Sequence, residues 1–366
     1  MKLVAATERP LAEALGLGPA LLAQAEAEGT PWLTASVVRG PAVLLGAAQR
    51  AGRVVRLDAC AAAGTTVLRR ATAGTAIYVG ERAIVWTLAL PDVAALAPDA
   101  TMRTLLNRNV RGFLKGLSRA GAIAHYFGRE WISVRQRPAA VMGFEATRGG
   151  AVLLEVIAGI DAPVAVPEAI AAEEERQVDR WRGKAPAALG ELIEEAPLAL
   201  ADTVMRAIAQ RAATPIEEGS AVPAVNVEAV TRDDDPLPAR FTPGPTRRVP
   251  IGWIDTGVDR ATGDVWLGGD VLAPRWALDA IAAGATDITA APVDGADVKD
   301  SARRSRRGGM TAHRLRGKSA AGRASSGSVD REVGRSEADG DRAKGDGGRA
   351  EGDDGCREGR RLPRRG

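Results

Sequence analysis

TTVLRRATAGTAIYVGERAIVWTLAL, residues 65–90, holds β-branched and apolar runs on either side of a loop of small residues. Residues 65–70 read as one strand, Ala71 to Gly74 as a turn, and residues 75–90 as a hairpin pivoting near Gly80-Glu81. Upstream, residues 34–38 (TASVV) and 41–46 (PAVLLG) are short strand-like runs separated by the turn signal Arg39-Gly40. Residues 1–30 read as helical, with Leu15, Leu21, Leu22 and Ala25 at helical spacing, and residues 54–63 as helix or loop. Downstream, residues 102–120 carry Leu105, Leu106, Phe113, Leu114 and Leu117 at helical spacing. Strands are expected at 123–126, 131–134, 139–144 and 151–160. The first 160 residues therefore predict a mixed α/β unit with hairpin-linked, mostly antiparallel strands.

Residues 167–214 are acidic, Ala-rich and helical in pattern. There Glu173 to Glu175, Arg180 and Arg182 read as a solvated face, and Leu189, Leu192, Ile193, Leu198 and Leu200 as buried positions. Residues 215–249 carry several prolines and the run Asp233 to Asp235, the composition of a linker. Residues 249–271 read as a hairpin turning at 259–263, and 275–284 as a short helix opening after Pro274. The expected organisation is 1–165, an α/β domain; 166–248, a helical connector and irregular linker; 249–290, a small accessory domain; and 296–366, a disordered basic tail. That last stretch has almost no Leu, Ile, Val or Phe and cannot offset its chain entropy by burial. It reads equally as a natural flexible tail and as a terminus translated out of frame.

Charge follows this division. Residues 296–366 hold 19 Lys+Arg against 12 Asp+Glu, which leaves 30 against 34 for residues 1–295, a net −4. The overall +3 thus comes from the tail, and the body gives no ground for nucleic-acid binding. Two cysteines, Cys60 and Cys356, make neither a disulfide framework nor a thiolate metal site. Two histidines, His125 and His313, exclude a His-rich metal centre, so no metal site is expected. Cys60 reads as a buried structural thiol. No run of about 18 apolar residues predicts a membrane span. Glu8 and Arg9 interrupt any secretory signal, which points to the cytoplasm.

The segment Arg69-Arg70-Ala71-Thr72-Ala73-Gly74-Thr75-Ala76-Ile77-Tyr78 resembles the signature loop of lipoate-protein ligases, two arginines followed by two residues, three glycines and a strand ending in His-Asp. Three further landmarks follow the family's order. Residues 45–50 (LGAAQR) are similar to its Gly-Arg-x-Gln-Asn turn, 128–134 (GREWISV) to its Gly-Arg-Asn-Asp segment, and 140–143 (AVMG) to its Lys-Ile/Val-x-Gly strand. Gly252-Trp253-Ile254, residues 265–271 (VWLGGDV) and Pro274 resemble its small C-terminal domain. The resemblance covers roughly residues 15–160 and 249–284. It implies an α/β (α+β) fold of the class II biotin/lipoate ligase type: a mixed sheet flanked by helices, with an accessory domain.

The activity so implied uses ATP and Mg²⁺ to form lipoyl-AMP, or octanoyl-AMP from octanoate. The acyl group then passes to a lysine on an acceptor domain of a 2-oxoacid dehydrogenase or the glycine-cleavage system. A Gly-rich loop lets backbone N–H groups approach the adenylate, and an arginine fork holds its phosphate or carboxylate. By this resemblance the ligand-binding positions are Arg70, Thr72, Ala73, Gly74, Thr75, Tyr78, Arg129, Glu130, Met142 and Gly143. Arg69 and Arg70 point to opposite faces on a strand, and Arg70 is the one expected at the loop.

Departures bear on activity. Ala140 stands at the family's catalytic lysine, Val79-Gly80 at His-Asp, Glu130-Trp131 at Asn-Asp, and 149–151 (GGA) at His-Gly-Thr. Loss of one preorganised donor costs on the order of 10²–10³ in rate, so ordinary turnover is not expected. Arg135 or Arg137 is the candidate substitute cation, although arginine's planar fork differs in reach from an ammonium. Two functions stay open: a divergent ligase of weakened activity, and a non-catalytic pseudo-ligase binding an acyl or adenylate ligand or a lipoyl-domain partner.

Overall fold

The structure is a computed structural model that describes residues 1–128, 130–225, 235–249 and 252–284. The expected tail at 296–366, His313, Cys356 and Arg129 lie outside these residues, as do 285–290 of the accessory region. In chain order the strands are β1 (Lys2–Leu3), β2 (Thr7–Glu8), β3 (Trp32–Arg39), β4 (Ala42–Leu45), β5 (Thr66–Arg69), β6 (Ile77–Val79), β7 (Arg82–Leu90), β8 (Ala124–Tyr126), β9 (Trp131–Val134), β10 (Arg137–Ala146) and β11 (Val152–Gly159). There follow β12 (Glu217–Glu218), β13 (Thr242–Pro243), β14 (Arg247–Val249), β15 (Gly252–Val258) and β16 (Val265–Gly269). The helices are α1 (Leu11–Glu28), α2 (Ala51–Val54), α3 (Leu57–Ala62), α4 (Leu105–Arg119), α5 (Glu173–Arg176), α6 (Pro197–Ala209) and α7 (Arg275–Ala282).

Among the described residues the main sheet runs β12-β1-β3-β7-β11-β10-β9-β8, with β2 also on β3. Its long central pairs are antiparallel. Strand alternation gives it two apolar faces. Ala140, Met142 and Phe144 on β10 join Val156, Trp86 and Ala35 on the face covered by α4 and α6. There the Trp86 ring meets Phe113 edge-on at 6.4 Å, and its Nε1 donates to Ala201 O at 3.2 Å. Val141, Ile157 and Val85 lie on the opposite face, under α1 and the second sheet, β5-β4-β6. Each large side chain buried in these layers contributes about 1.5–3 kcal/mol. α1 presents Leu11, Leu15 and Leu22 inward and ends at Gly29, whose φ of 62° is left-handed.

The structure corrects the sequence reading in four places. The predicted hairpin at Gly80-Glu81 is a crossing: β6 pairs with β4 in the small sheet, whereas β7 pairs with β3 and β11 in the main one. The chain changes sheet the same way between β3 and β4, and the two turns touch, since a Cβ on Gly40 would come 2.4 Å from Gly80 O. Residues 1–10 are extended rather than helical, because β1 and β2 add in parallel to β3. Residues 167–214 are largely irregular, with α5 one turn long and α6 the only long helix described there; Leu198 is exposed. Glu175 and Arg180 are not a solvated face but a buried pair.

The hairpin and the short helix expected after residue 249 are both present. β15 and β16 form an antiparallel hairpin, its turn closed by Gly263 N to Asp259 O at 2.7 Å. α7 packs on β16 around Leu267, Leu278 and Ile281, in a cluster that also takes in Ala48. Cys60 is buried and free, and desolvation pushes its thiol pKa up, as a packed structural cysteine should show. No helix among the described residues is long and apolar enough to cross a membrane.

Candidate functional site

The loop between β5 and β6 is laid across β10. Ala73 N donates to Phe144 O at 2.9 Å, and Ala47 N to Thr72 O at 3.0 Å. Gly143 permits this approach: a Cβ there would come 2.6 Å from Ala73 O and 2.7 Å from Thr72 Oγ1. Gly74 has φ +120°, a left-handed conformation, and a Cβ on it would come 2.9 Å from Arg70 Nη2. The turn at 46–49 closes the other side, a Cβ on Gly46 falling 2.1 Å from Gly74 O.

Arg70 is 1% exposed. Its guanidinium folds back into its own loop, donating to Thr72 O (3.3 Å), Ala73 O (3.3 Å) and Thr75 O (2.8 Å). Burial lowers its pKa to about 10, opposed by the charges of Glu155 and Glu130. Arg69 turns the other way and holds the 46–49 turn through Gly46 O (3.0 Å) and Gln49 O (2.6 Å). Thr72 Oγ1 donates to Glu155, which is wholly buried on β11. Desolvation raises the Glu155 pKa, with Thr72 and Arg70 acting against it.

A second buried charge cluster adjoins the first. Arg180 donates to Glu175 (Nε to Oε1, 2.8 Å) and to Asp270 Oδ2 (3.3 Å). Asp270 also accepts from Gln49 Nε2 and from Trp253 N (2.8 Å), while Gln49 Oε1 accepts from Gly46 N (2.7 Å). Burial works against the Arg180 charge, but Asp270 and Glu175 outweigh it and hold the group above its ordinary range. Leu272, two residues past Asp270, lies 3.4 Å from a Cβ on Gly74. Beside the outer, Arg69 side of the turn opens a cleft of about 680 Å³ lined by Ala47, Arg69, Phe241, Trp266 and Arg275 among others.

Of the expected ligand-binding residues, Arg70, Thr72, Ala73, Gly74, Thr75 and Gly143 come together, with Glu130 near enough to bias Arg70. Met142 contributes its backbone, its O lying 3.4 Å from a Cβ on Gly74, while its side chain is in the opposite core. Tyr78 packs on the outer side of the small sheet, with Val43 and Ile170. Ala140 is three residues from Gly143, an odd separation, so its methyl faces α4 and α6, away from the loop. The loop-side neighbour of Gly143 is Val141, also uncharged. Neither substitute cation reaches the loop. Arg135 is exposed in the β9–β10 turn, with φ 48°. Arg137 donates to Ala185 O (3.3 Å) and Pro186 O (3.0 Å) and pairs with Glu191 at 2.9 Å.

Sequence reasoning missed Glu155, Arg180 and Asp270. For Glu155 the signal was present, a lone charge inside the apolar run 151–160. For Arg180 there was none, since it sits in a charged segment that reads as exposed. Among the described residues no group of three His, Cys, Asp or Glu side chains is placed to hold a metal ion.

The fold has known relatives. LipL1 of P. falciparum in complex with lipoate is similar at TM-score 0.54 and 14% identity, over 74% of this chain and 86% of that one. A bipartite lipoate protein ligase from Thermoplasma acidophilum, described with its E2 lipoyl domain, gives 0.51 and 16%, over 64% and 92%. A lipoate-protein ligase A bound with ATP gives 0.50 and 17%, over 63% and 92%. At these identities the likeness shows the fold alone, a mixed sheet flanked by helices. No curated protein matches the chain in sequence. The model of the lipoyl protein ligase A/B catalytic domain matches residues 10–208, which include the β5–β6 loop, β10 and Glu155, and the chain therefore belongs to the lipoyl protein ligase A/B catalytic-domain family.

Proposed function

We propose that this chain keeps the ligand-holding loop of its family but has lost, or nearly lost, ATP-dependent activation of lipoate or octanoate. The observation that carries this reading is the placement of the groups at the loop among the described residues: Ala140 faces away, Val141 is apolar, and Arg70 Nε and Nη2 are taken up by three loop carbonyls. Developing negative charge on an acyl-phosphate needs a positioned donor. The wholly buried Glu155 is instead a carboxylate beside the loop, and Glu130 adds to the acidic field at Arg70. These residues do not supply the positioned charge that forming an acyl-adenylate from ATP would need, whatever they bind. ATP and Mg²⁺ would be cofactors only if activation survived.

What the residues can do is bind. The 680 Å³ cleft beside the 46–49 turn, with Ala47 and Arg69 in its wall, is of ligand size. This favours a pseudo-ligase taking an acyl or adenylate ligand, with a lipoyl acceptor domain of a 2-oxoacid dehydrogenase or glycine-cleavage protein as its partner. The relatives bound with lipoate, with ATP, or described with an E2 lipoyl domain support those classes for the family. In this proposal residues 1–165 are the catalytic-type domain, 166–248 the connector and 249–290 the accessory domain, working in the cytoplasm. The test is ATP-dependent transfer of radiolabelled lipoate and octanoate to an apo-lipoyl domain, beside calorimetric titration with octanoate and a non-hydrolysable octanoyl-adenylate. We expect binding with transfer at least 10²-fold below an intact ligase run in parallel. Transfer equal to that control would refute the proposal.

A further inference from the structure

The far edge of the main sheet carries a feature the loop does not explain. β8 is its last strand among the described residues. Ile123 just before it and Phe127 just after it are 69% and 58% exposed, the two most exposed large apolar side chains described. His125, also exposed, alternates between them, and its ring stacks on Phe127 with centroids 5.9 Å apart. Two large apolar side chains so exposed on one side of a sheet edge, with a stacked ring between them, mark an interaction surface rather than incidental exposure.

Cations lie along the elements that flank this edge. Arg111, Lys115 and Arg119 are all exposed and four residues apart, which makes one stripe along α4, the helix that packs against β8. Arg135 N donates to Ile123 O at 3.2 Å, bringing the exposed β9–β10 turn to the same corner. Lys184 Nζ lies 5.8 Å from the Phe127 ring centroid. The sequence contains no acidic residue from 100 to 129, and Glu130, the next, is buried. Of the flanking acids, Asp99 is paired with Arg108 at 3.1 Å. A body carrying net −4 over residues 1–295 thus concentrates positive charge at one corner, around an apolar centre.

We infer that this corner docks a separate protein domain with an acidic rim, Ile123 and Phe127 acting as apolar anchors and Arg111, Lys115, Arg119, Arg135 and Lys184 as the complementary rim. An aromatic anchor inside a ring of basic residues is how protein interfaces concentrate binding energy. A second copy docking by a twofold would set these cations against each other. Nucleic acid would leave the aliphatic Ile123 without a stacking partner. β8 is two strands from β10, roughly 10 Å, so a partner seated here is within reach of the loop. The inference rests on the lipoyl-acceptor part of the proposed function for the class of partner, and on nothing else in it.

The experiment titrates the full-length chain with an apo-lipoyl domain of acidic surface, by calorimetry at low and at physiological salt. Compared with wild type are I123S/F127S, in which both changes are to exposed side chains, and R111E/K115E/R119E, each checked for native circular dichroism. The expected result is binding that weakens at least tenfold in both variants and falls with salt only while the α4 cations are present. No binding to the wild type, or equal binding by wild type and variants, would overturn the inference. So would self-association by light scattering, or retention of a 20-nucleotide RNA, that disappears in the same variants. Because the readout is docking and not turnover or adenylate binding, failure of the proposed loop function leaves it standing, and the converse holds too.

Discussion

Gly143 sits under the β5–β6 loop with no room for a methyl group. A Cβ there would meet Ala73 O at 2.6 Å and Thr72 Oγ1 at 2.7 Å, and the first of these is backbone held in turn by Phe144. Gly143→Ala should therefore push the loop off β10 and destabilise the fold by about 1–3 kcal/mol, the usual range for overpacking. Gly52, with nothing within 4 Å of an added Cβ, is the matched control, and Gly52→Ala should leave the melting temperature unchanged or slightly raised. Urea denaturation of both variants checks the pair. Equal midpoints would mean that the loop does not press on Gly143. At this scale the sequence was informative in part. That Arg70 rather than Arg69 serves the loop follows from strand alternation, but nothing in the sequence says that its guanidinium is taken up by its own carbonyls. The same alternation decides what Ala140 offers: a motif match fixes position along a strand, whereas the face depends on parity, and Ala140 lies an odd number of residues from Gly143.

Between elements, Glu145 on β10 accepts the N–H of Arg275 at 3.3 Å, where α7 begins. Burial raises its pKa to about 7, opposed by the N–H groups of Ala146 and Arg275. The sign follows directly. From about pH 4.5 to 7 the folded protein still holds this proton while the unfolded chain has released it, so stability is full below that window and falls as pH rises through it. On the order of 2 kcal/mol rides on this group, given its partial exposure. Glu145→Gln should flatten that part of the stability–pH curve, measured by denaturant midpoints from pH 4 to 8. Glu155 and Glu175, also raised by burial, leave a remainder of the same sign. An unchanged slope in the variant would remove Glu145 from the explanation. Elements themselves were readable, since period-two runs gave the long strands and Pro274 gave the start of α7. Their partition was not. Residues 75–90 carry a strand pattern on both sides of Gly80, yet pattern alone cannot tell that β6 belongs to one sheet and β7 to another, because that depends on the crossing of two turns 40 residues apart in sequence.

For the molecule as a whole, one guanidinium joins three parts of the chain. Arg180 from the connector pairs with Glu175 and Asp270, and Asp270 reaches Gln49 beside the loop and Trp253 N in β15. The side chains of Arg180, Glu175 and Asp270 are 3%, 12% and 6% exposed, so water cannot replace a lost partner. Substituting Arg180→Met would leave two buried carboxylates facing each other. Breaking a buried pair from one side in this way costs about 3–5 kcal/mol, even where the intact pair contributes little over an apolar alternative. Neutralising the second charge should then recover part of the loss, so Arg180→Met/Asp270→Asn is expected to be more stable than Arg180→Met alone. Because Asp270 follows β16 and its partners lie elsewhere, the damage should also be local: in Arg180→Met, amide exchange at residues 252–282 should accelerate ahead of that in β7 and β11. Exchange measured peptide by peptide separates the outcomes. Uniform acceleration across both regions would mean that the accessory core of Leu267, Leu278 and Ile281 is held by packing alone, with the buried charges serving the main sheet equally.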